Sequence, residues 1–215
     1  MTTAIINGSP KKTSGASLAI CNTMRELIPG NVLCFRAIEL TGPSGSRDDI
    51  RRILEADTVL FVFPLYVDSL PAPLLKLLTM LEKEAHHHPV KNTRVYAVCH
   101  SGFYDAHQNK DALDTVSHFC KRMNFQWQYG LGIGAGVFLG SPNPSLSKGP
   151  AAPVNKTVKD MAGHIAKNAN PVDNVFITPA MPRNMYFFFG NLGWAYSAWS
   201  NKVLGKIRAE PFLTR

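Results

Sequence analysis

The residues best equipped for chemistry lie at the start of the chain. Gly8-Ser9-Pro10-Lys11-Lys12-Thr13-Ser14-Gly15-Ala16-Ser17 sets the hydroxyls of Ser9, Thr13, Ser14 and Ser17 beside two lysines. The apolar run Thr3-Ala4-Ile5-Ile6-Asn7 before it reads as a short buried strand, and a helical pattern follows to Leu27. A small-residue loop between a strand and a helix suits a phosphate. The first turn of the helix leaves backbone N–H groups unpaired and carries the positive end of the helix dipole.

Spacing narrows the ligand. A triphosphate loop requires a second glycine five residues after the first and then Lys with Ser or Thr, but position 13 is Thr. The Gly-x-Gly-x-x-Gly fingerprint fails here because position 10 is Pro. A looser match, Gly130-x-Gly132-x-x-Ala135, runs into Gly136 to Pro144, a stretch too rich in Gly and Pro for the helix a dinucleotide site needs. What remains is a loop suited to one terminal phosphate.

Other conspicuous residues carry less. Cys21, Cys34, Cys99 and Cys120 form no close pair, which argues against a zinc, dithiol or iron–sulfur centre and fits small core residues in a reducing compartment. His86-His87-His88-Pro89 reads as a solvated loop, and no metal site is expected. Asp105 and His107 read as loop polarity. No signal-peptide pattern precedes the first strand, so the expected location is cytoplasmic.

These residues must be positioned by alternating elements. Strands are expected at Thr3–Asn7, Val32–Leu40, Thr58–Phe63, Arg94–Cys99 and Gln126–Gly132. Helices are expected at about Ser14–Leu27, Arg47–Ala56, Pro71–Glu84, Lys110–Met123 and Val154–Asn168. The uninterrupted apolar run Thr58-Val59-Leu60-Phe61-Val62-Phe63 is typical of a parallel strand covered on both faces. Helices between successive strands imply right-handed crossovers and an α/β, doubly wound, five-stranded parallel sheet with helices on both faces. Ligands of such sheets bind beyond the carboxyl ends of the strands, where strand order reverses. Three loops converge there: the hydroxyl-rich loop, Pro64 to Pro73, and His100 to Asp105. The last two are rich in aromatics, Gly and Pro, which suits a flat ring.

The combination resembles the flavodoxin-like NAD(P)H-dependent FMN reductases and the bacterial flavodoxin-family oxidoreductases. The resemblance rests on Asn7 to Lys12 with Ser17, Pro64-Leu65-Tyr66 with Ser69 to Pro73, Ser101-Gly102-Phe103-Tyr104, Gly130 to Gly136, Thr178 to Arg183, and Gly190 to Trp194. It implies that Ser9, Lys11, Thr13, Ser14 and Ser17 hold the ribityl phosphate of FMN. It also implies that Pro64, Leu65, Tyr66 and Val67 border the isoalloxazine while Ser101, Gly102, Phe103 and Tyr104 close its other edge. Ala16 departs from the pattern, since relatives often carry Asn there. NAD(P)H is the implied co-substrate. The flavin carries the redox chemistry, so no catalytic side chain is assigned. Tyr66, Phe103 and Tyr104 are the candidates for shaping the second-substrate pocket.

The resemblance implies residues 1–170 as the FMN-binding domain and 171–215 as an aromatic carboxyl-terminal extension. The net charge of +8 comes entirely from residues 116–215, which hold eleven basic side chains against Asp160, Asp173 and Glu210. That field suits phosphorylated cofactors, and no signature of nucleic-acid binding accompanies it. Residues 184–201 carry no charge and seven aromatic side chains, and Lys202, Lys206 and Arg208 follow. Broken by glycines, the stretch is too short for a transmembrane helix. It is expected to pack on its own domain or on a second subunit, since flavodoxin-like reductases are commonly dimers or tetramers; an anionic membrane surface is the alternative. Two function classes stand: an FMN-dependent enzyme reducing a quinone, flavin or other small acceptor, and an FMN-bearing electron carrier docking on proteins. Carrier flavodoxins are typically acidic, so the basic balance favours the enzyme.

Overall fold

The computed structural model describes residues 1–11, 15–88, 91–136, 149–206 and 209. The chain divides into two compact units, Met1–Ala180 and Met181–Arg215.

The first unit alternates strands and helices: β1 (Thr2–Asn7), α1 (Ala16–Leu27), β2 (Asn31–Arg36), α2 (Ala37–Leu40), α3 (Arg47–Leu54), β3 (Thr58–Pro64), α4 (Ala72–Ala85), β4 (Arg94–His100), α5 (Lys110–Met123), β5 (Gln126–Ile133), α6 (Ala152–Ala166) and β6 (Val175–Ile177). All strand pairings are parallel, in the order β2-β1-β3-β4-β5-β6. This is the α/β doubly wound sheet expected, with six strands where five were anticipated. β6 was missed because three residues after Pro171-Val172-Asp173-Asn174 are too few to show a period. Asn174 fixes it from the side, its Oδ1 accepting a hydrogen bond from the Gly130 N–H at 2.7 Å.

The strands sort their side chains by alternation. Val59, Phe61 and Phe63 of β3 join Val95, Ala97 and Cys99 of β4 beneath α3, α4 and α5. Leu60 and Val62 join Tyr96 and Val98 on the opposite face beneath α1 and α6. Burial on both faces is why β3 reads as an unbroken apolar run. β2 ends at Arg36, earlier than expected, because Ala37–Leu40 coils into one helical turn with the Thr41 N–H on the Ala37 carbonyl at 3.0 Å. α6 lies two residues earlier than expected at both ends; of residues 137–153, expected from their Gly, Pro and Ser content to form a loop or lid, 137–148 fall outside the described residues, Gly149–Ala151 form a 3-10 turn and Ala152 and Pro153 already belong to α6.

The second unit contains α7 (Arg183–Ser200) and a short 3-10 turn at Leu204–Lys206. Among the described residues, no helix is long and apolar enough to cross a membrane.

Candidate functional site

β1 runs out to one side into β2 and to the other into β3, so strand order reverses between β1 and β3. The loops at the carboxyl ends of β1, β3 and β4 meet at that point. Asn7 accepts the Ser9 N–H on Oδ1 at 2.9 Å, a local turn that swings the chain away from the sheet. The Gly8 N–H still donates to the Val62 carbonyl at 2.8 Å. Ser9 Oγ accepts the Lys11 N–H at 3.3 Å, and an Arg36 Nη–H from the end of β2 donates to the Lys11 carbonyl at 2.9 Å. Gly15 leads into α1 at φ 127°, a conformation that side-chain-bearing residues rarely adopt.

Among the described residues the start of α1 is left open: Gly15 before it has no side chain to cap it, and its first turn contains no acidic residue. Ser17, in that turn, is buried, and its Oγ lies 2.7 Å from His100 Nε2 at the end of β4. Burial, reinforced by the charge of Lys11, pushes the imidazole pKa of His100 down to about 4. His100 is therefore neutral at neutral pH and adds a hydrogen-bonding nitrogen without a charge.

The other two loops are stiff. The Leu65 N–H donates to the His100 carbonyl at 2.8 Å, and Tyr66 and Ser69 exchange backbone hydrogen bonds of 3.0 Å each across a two-residue turn. Val67 and Asp68 hold that turn at φ 49° and 55°. Positive φ is strained for a β-branched residue, and Val67 is 98% exposed. The Ser101 N–H donates to the Ile133 carbonyl at 2.9 Å, while the N–H groups of Gly136 and Ala135 donate to the carbonyls of Ser101 and Phe103 at 2.6 and 2.5 Å. Gly134 permits this close approach, since a Cβ there would lie 2.3 Å from the Tyr104 carbonyl oxygen.

Between these loops is a cavity of about 310 Å³ lined by Ser9, Lys11, Gly15, Ala16, Ser17, Pro64, Leu65, Tyr66, His100, Ser101, Gly102 and Gly136. None of these is acidic. The cavity thus gathers Ser9, Lys11, Ser17, Pro64, Leu65, Tyr66, Ser101 and Gly102 from the residues anticipated. Val67, Phe103 and Tyr104 do not line it: Val67 sits at the hairpin tip and Phe103 is half exposed. Thr13 and Ser14 lie outside the described residues. His100 was not anticipated as a site residue. Its place at the carboxyl end of a central strand, just before Ser101-Gly102, was the available signal.

Elsewhere the polar residues noted in the sequence serve local structure. Asp105 Oδ1 accepts the His107 N–H at 2.9 Å, the His107 ring stacks on Phe176 at 4.5 Å, and His88 Nε2 lies 2.9 Å from Glu55 Oε1. Among the described residues no group of three potential ligands could hold a metal.

No protein-family profile matches the chain, and no curated protein matches it. Solved structures do. An NADH:FMN oxidoreductase in its apo form aligns at a TM-score of 0.59 and 14% identity, over 79% of this chain and 90% of that one. The Trp repressor binding protein from Bacillus subtilis aligns at 0.56 and 12%, over 78% and 99%. An NADPH-quinone reductase from P. pentosaceus aligns at 0.55 and 16%, over 79% and 100%. At such identities the likeness is one of architecture: the chain has the flavodoxin-like α/β fold.

Proposed function

We propose that the chain is an FMN-dependent oxidoreductase that takes hydride from NAD(P)H and reduces a quinone, a free flavin or another small acceptor. The observation that carries this reading is the acid-free start of α1, uncapped among the described residues and set with Lys11, Ser9 and Ser17 into a crevice bordered by Tyr66 and two stiff backbone loops. The residues fit the cofactor. A terminal phosphate needs unpaired backbone N–H groups, hydroxyls and a cation, and Ser9, Lys11, Gly15, Ala16 and Ser17 supply them at one end of the cavity. A planar ring needs an apolar border with fixed backbone groups, and Pro64, Leu65, Tyr66, Ser101 and Gly102 supply those.

FMN, when bound, supplies the capacity to accept hydride and pass electrons on. The chain's own residues bind and orient. Lys11 and the α1 amides neutralise the phosphate, Ser17 is held in place by His100, and the hydrogen-bonded loops after β3 and β4 keep the ring's border rigid. His100, uncharged at neutral pH, adds no further cation to the seat beside Lys11. The aligned proteins, one an NADH:FMN oxidoreductase and one an NADPH-quinone reductase, support the same reading.

The test is a titration with FMN followed by steady-state oxidation of NADH and NADPH with a quinone acceptor. FMN binding with turnover supports the enzyme. FMN binding without turnover of any acceptor favours the electron carrier, and no FMN binding overturns both.

A further inference from the structure

The helix α7 presents a coherent apolar face. Met185, Phe188, Phe189, Leu192, Tyr196 and Trp199 recur at spacings of three, four and seven residues, which aligns them along one side of an α-helix. Within its own unit none of the helix is buried, and every one of these six side chains is at least 42% exposed. Phe189, Leu192, Tyr196 and Trp199 also border a shallow groove of about 610 Å³ with Leu204. Asn184, Asn191 and Ser197 fall on the other side together with the exposed Trp194 and Phe187, over whose ring Arg183 lies at 5.6 Å. An apolar surface of this extent marks an interaction site.

The charges say what it meets. From residue 174 to 209 the sequence contains no Asp or Glu. Arg183 opens α7, and Lys202 and Lys206 follow its end. Pairing α7 with a second copy, parallel or antiparallel, would set cation against cation at both ends with no carboxylate to relieve them. A surface of anionic phosphates neutralises all three. Tyr and Trp are also the side chains that favour the boundary between headgroups and acyl chains, where one end of the ring is apolar and the other wet. A helix of 18 residues is about 27 Å long and does not meet the requirements for crossing the bilayer, so it must lie in the plane.

We propose that α7 docks on an anionic lipid bilayer, with the Met185–Trp199 face among the headgroups and Arg183, Lys202 and Lys206 on lipid phosphates. This inference does not rest on the flavin reading.

Co-sedimentation of the full chain with phosphatidylcholine vesicles, with and without phosphatidylserine, tests it. The protein is expected to pellet with the phosphatidylserine vesicles at low salt and to be released at high salt. Lys202→Gln with Lys206→Gln should remove most of the salt-sensitive binding. Phe188→Gln with Trp199→Gln, both at exposed positions, should lower partitioning by about tenfold or more. In Trp194→Phe protein the emission of Trp199 should shift to the blue and be quenched by brominated lipid. In Trp199→Phe protein the emission of Trp194, which is 80% exposed on the other side, should change far less. Protein that stays in the supernatant, or binds both kinds of vesicle equally, overturns the proposal. So does a dimer in light scattering that Phe188→Gln with Trp199→Gln converts to monomer, which would assign the face to a second copy.

Discussion

The starts of α1 and α3 are built from similar materials to opposite ends. At α3, Ser46 caps the helix, its Oγ accepting the Asp48 N–H at 3.2 Å, and Asp48 and Asp49 fill the first turn with negative charge. That helix satisfies its own dipole. At α1 the preceding residue is Gly15, none of the described side chains caps the turn, no acid sits in it, and Lys11 lines the same cavity. The described residues close the start of α3 and leave that of α1 without a cap or an acid. An end left open inside a polar cavity is available for an anion that the chain itself does not provide.

The comparison can be broken first by making α1 resemble α3. Ser17→Asp places a carboxylate where the phosphate is expected. Two such charges about 4 Å apart repel by roughly 4 kcal/mol at the effective dielectric of a protein surface, so FMN affinity should fall on the order of a thousandfold. Riboflavin, which lacks the phosphate, should bind nearly as well as to the parent, and calorimetric titration of both ligands checks this.

The second effect concerns His100, which joins α1 to β4. Its folded pKa of about 4 lies below the ordinary value of 6.5. As pH falls below 6.5 the unfolded chain takes up a proton that the folded chain refuses, so this contribution to stability is whole above pH 6.5 and is lost as pH approaches 4. The loss amounts to at most about 3 kcal/mol. Urea unfolding across that window should show it, and His100→Gln should flatten that part of the profile.

Smaller changes sharpen the contrast. Lys11→Ala with Ser17→Ala should weaken FMN by about tenfold or more through lost charge-assisted hydrogen bonds, while the folded domain persists by circular dichroism. Ser46→Ala should do the reverse. It should cost about 1 kcal/mol of stability in denaturant titration and leave FMN affinity unchanged, because the capped helix start takes no part in the site.

Much of this was legible in the sequence because the relevant signals are local. The apolar run of β3 and the period of α5 showed their places directly, and Lys110–Met123 was anticipated at both ends. The hydroxyls and lysines after β1 pointed to an anion before any contact was known. What escaped depends on distant partners or on very few residues. β6 owes its existence to pairing with β5, and its three residues form no pattern of their own. The Ser17–His100 contact joins residues 83 apart in sequence and exists only because the fold brings the first turn of α1 to the carboxyl end of β4. The Val67-Asp68 hairpin lacks the Asn-Gly or Asp-Gly pair that usually announces such a turn. The aromatic run of α7 was expected as an arm packing on its own domain or a second subunit, or alternatively as a segment on an anionic membrane; that it forms one continuous helix was masked by Gly190 and Gly193, which interrupt the pattern.

The central claim is that the cavity at the start of α1 binds the phosphate end of FMN. Parallel fluorescence titrations of the full chain with FMN and with riboflavin test it most directly. FMN is expected to bind tightly, at least tenfold tighter than riboflavin, with the difference largely abolished in the Lys11→Ala, Ser17→Ala double variant. Equal affinity for the two ligands, or an FMN preference that survives the double variant, would contradict it.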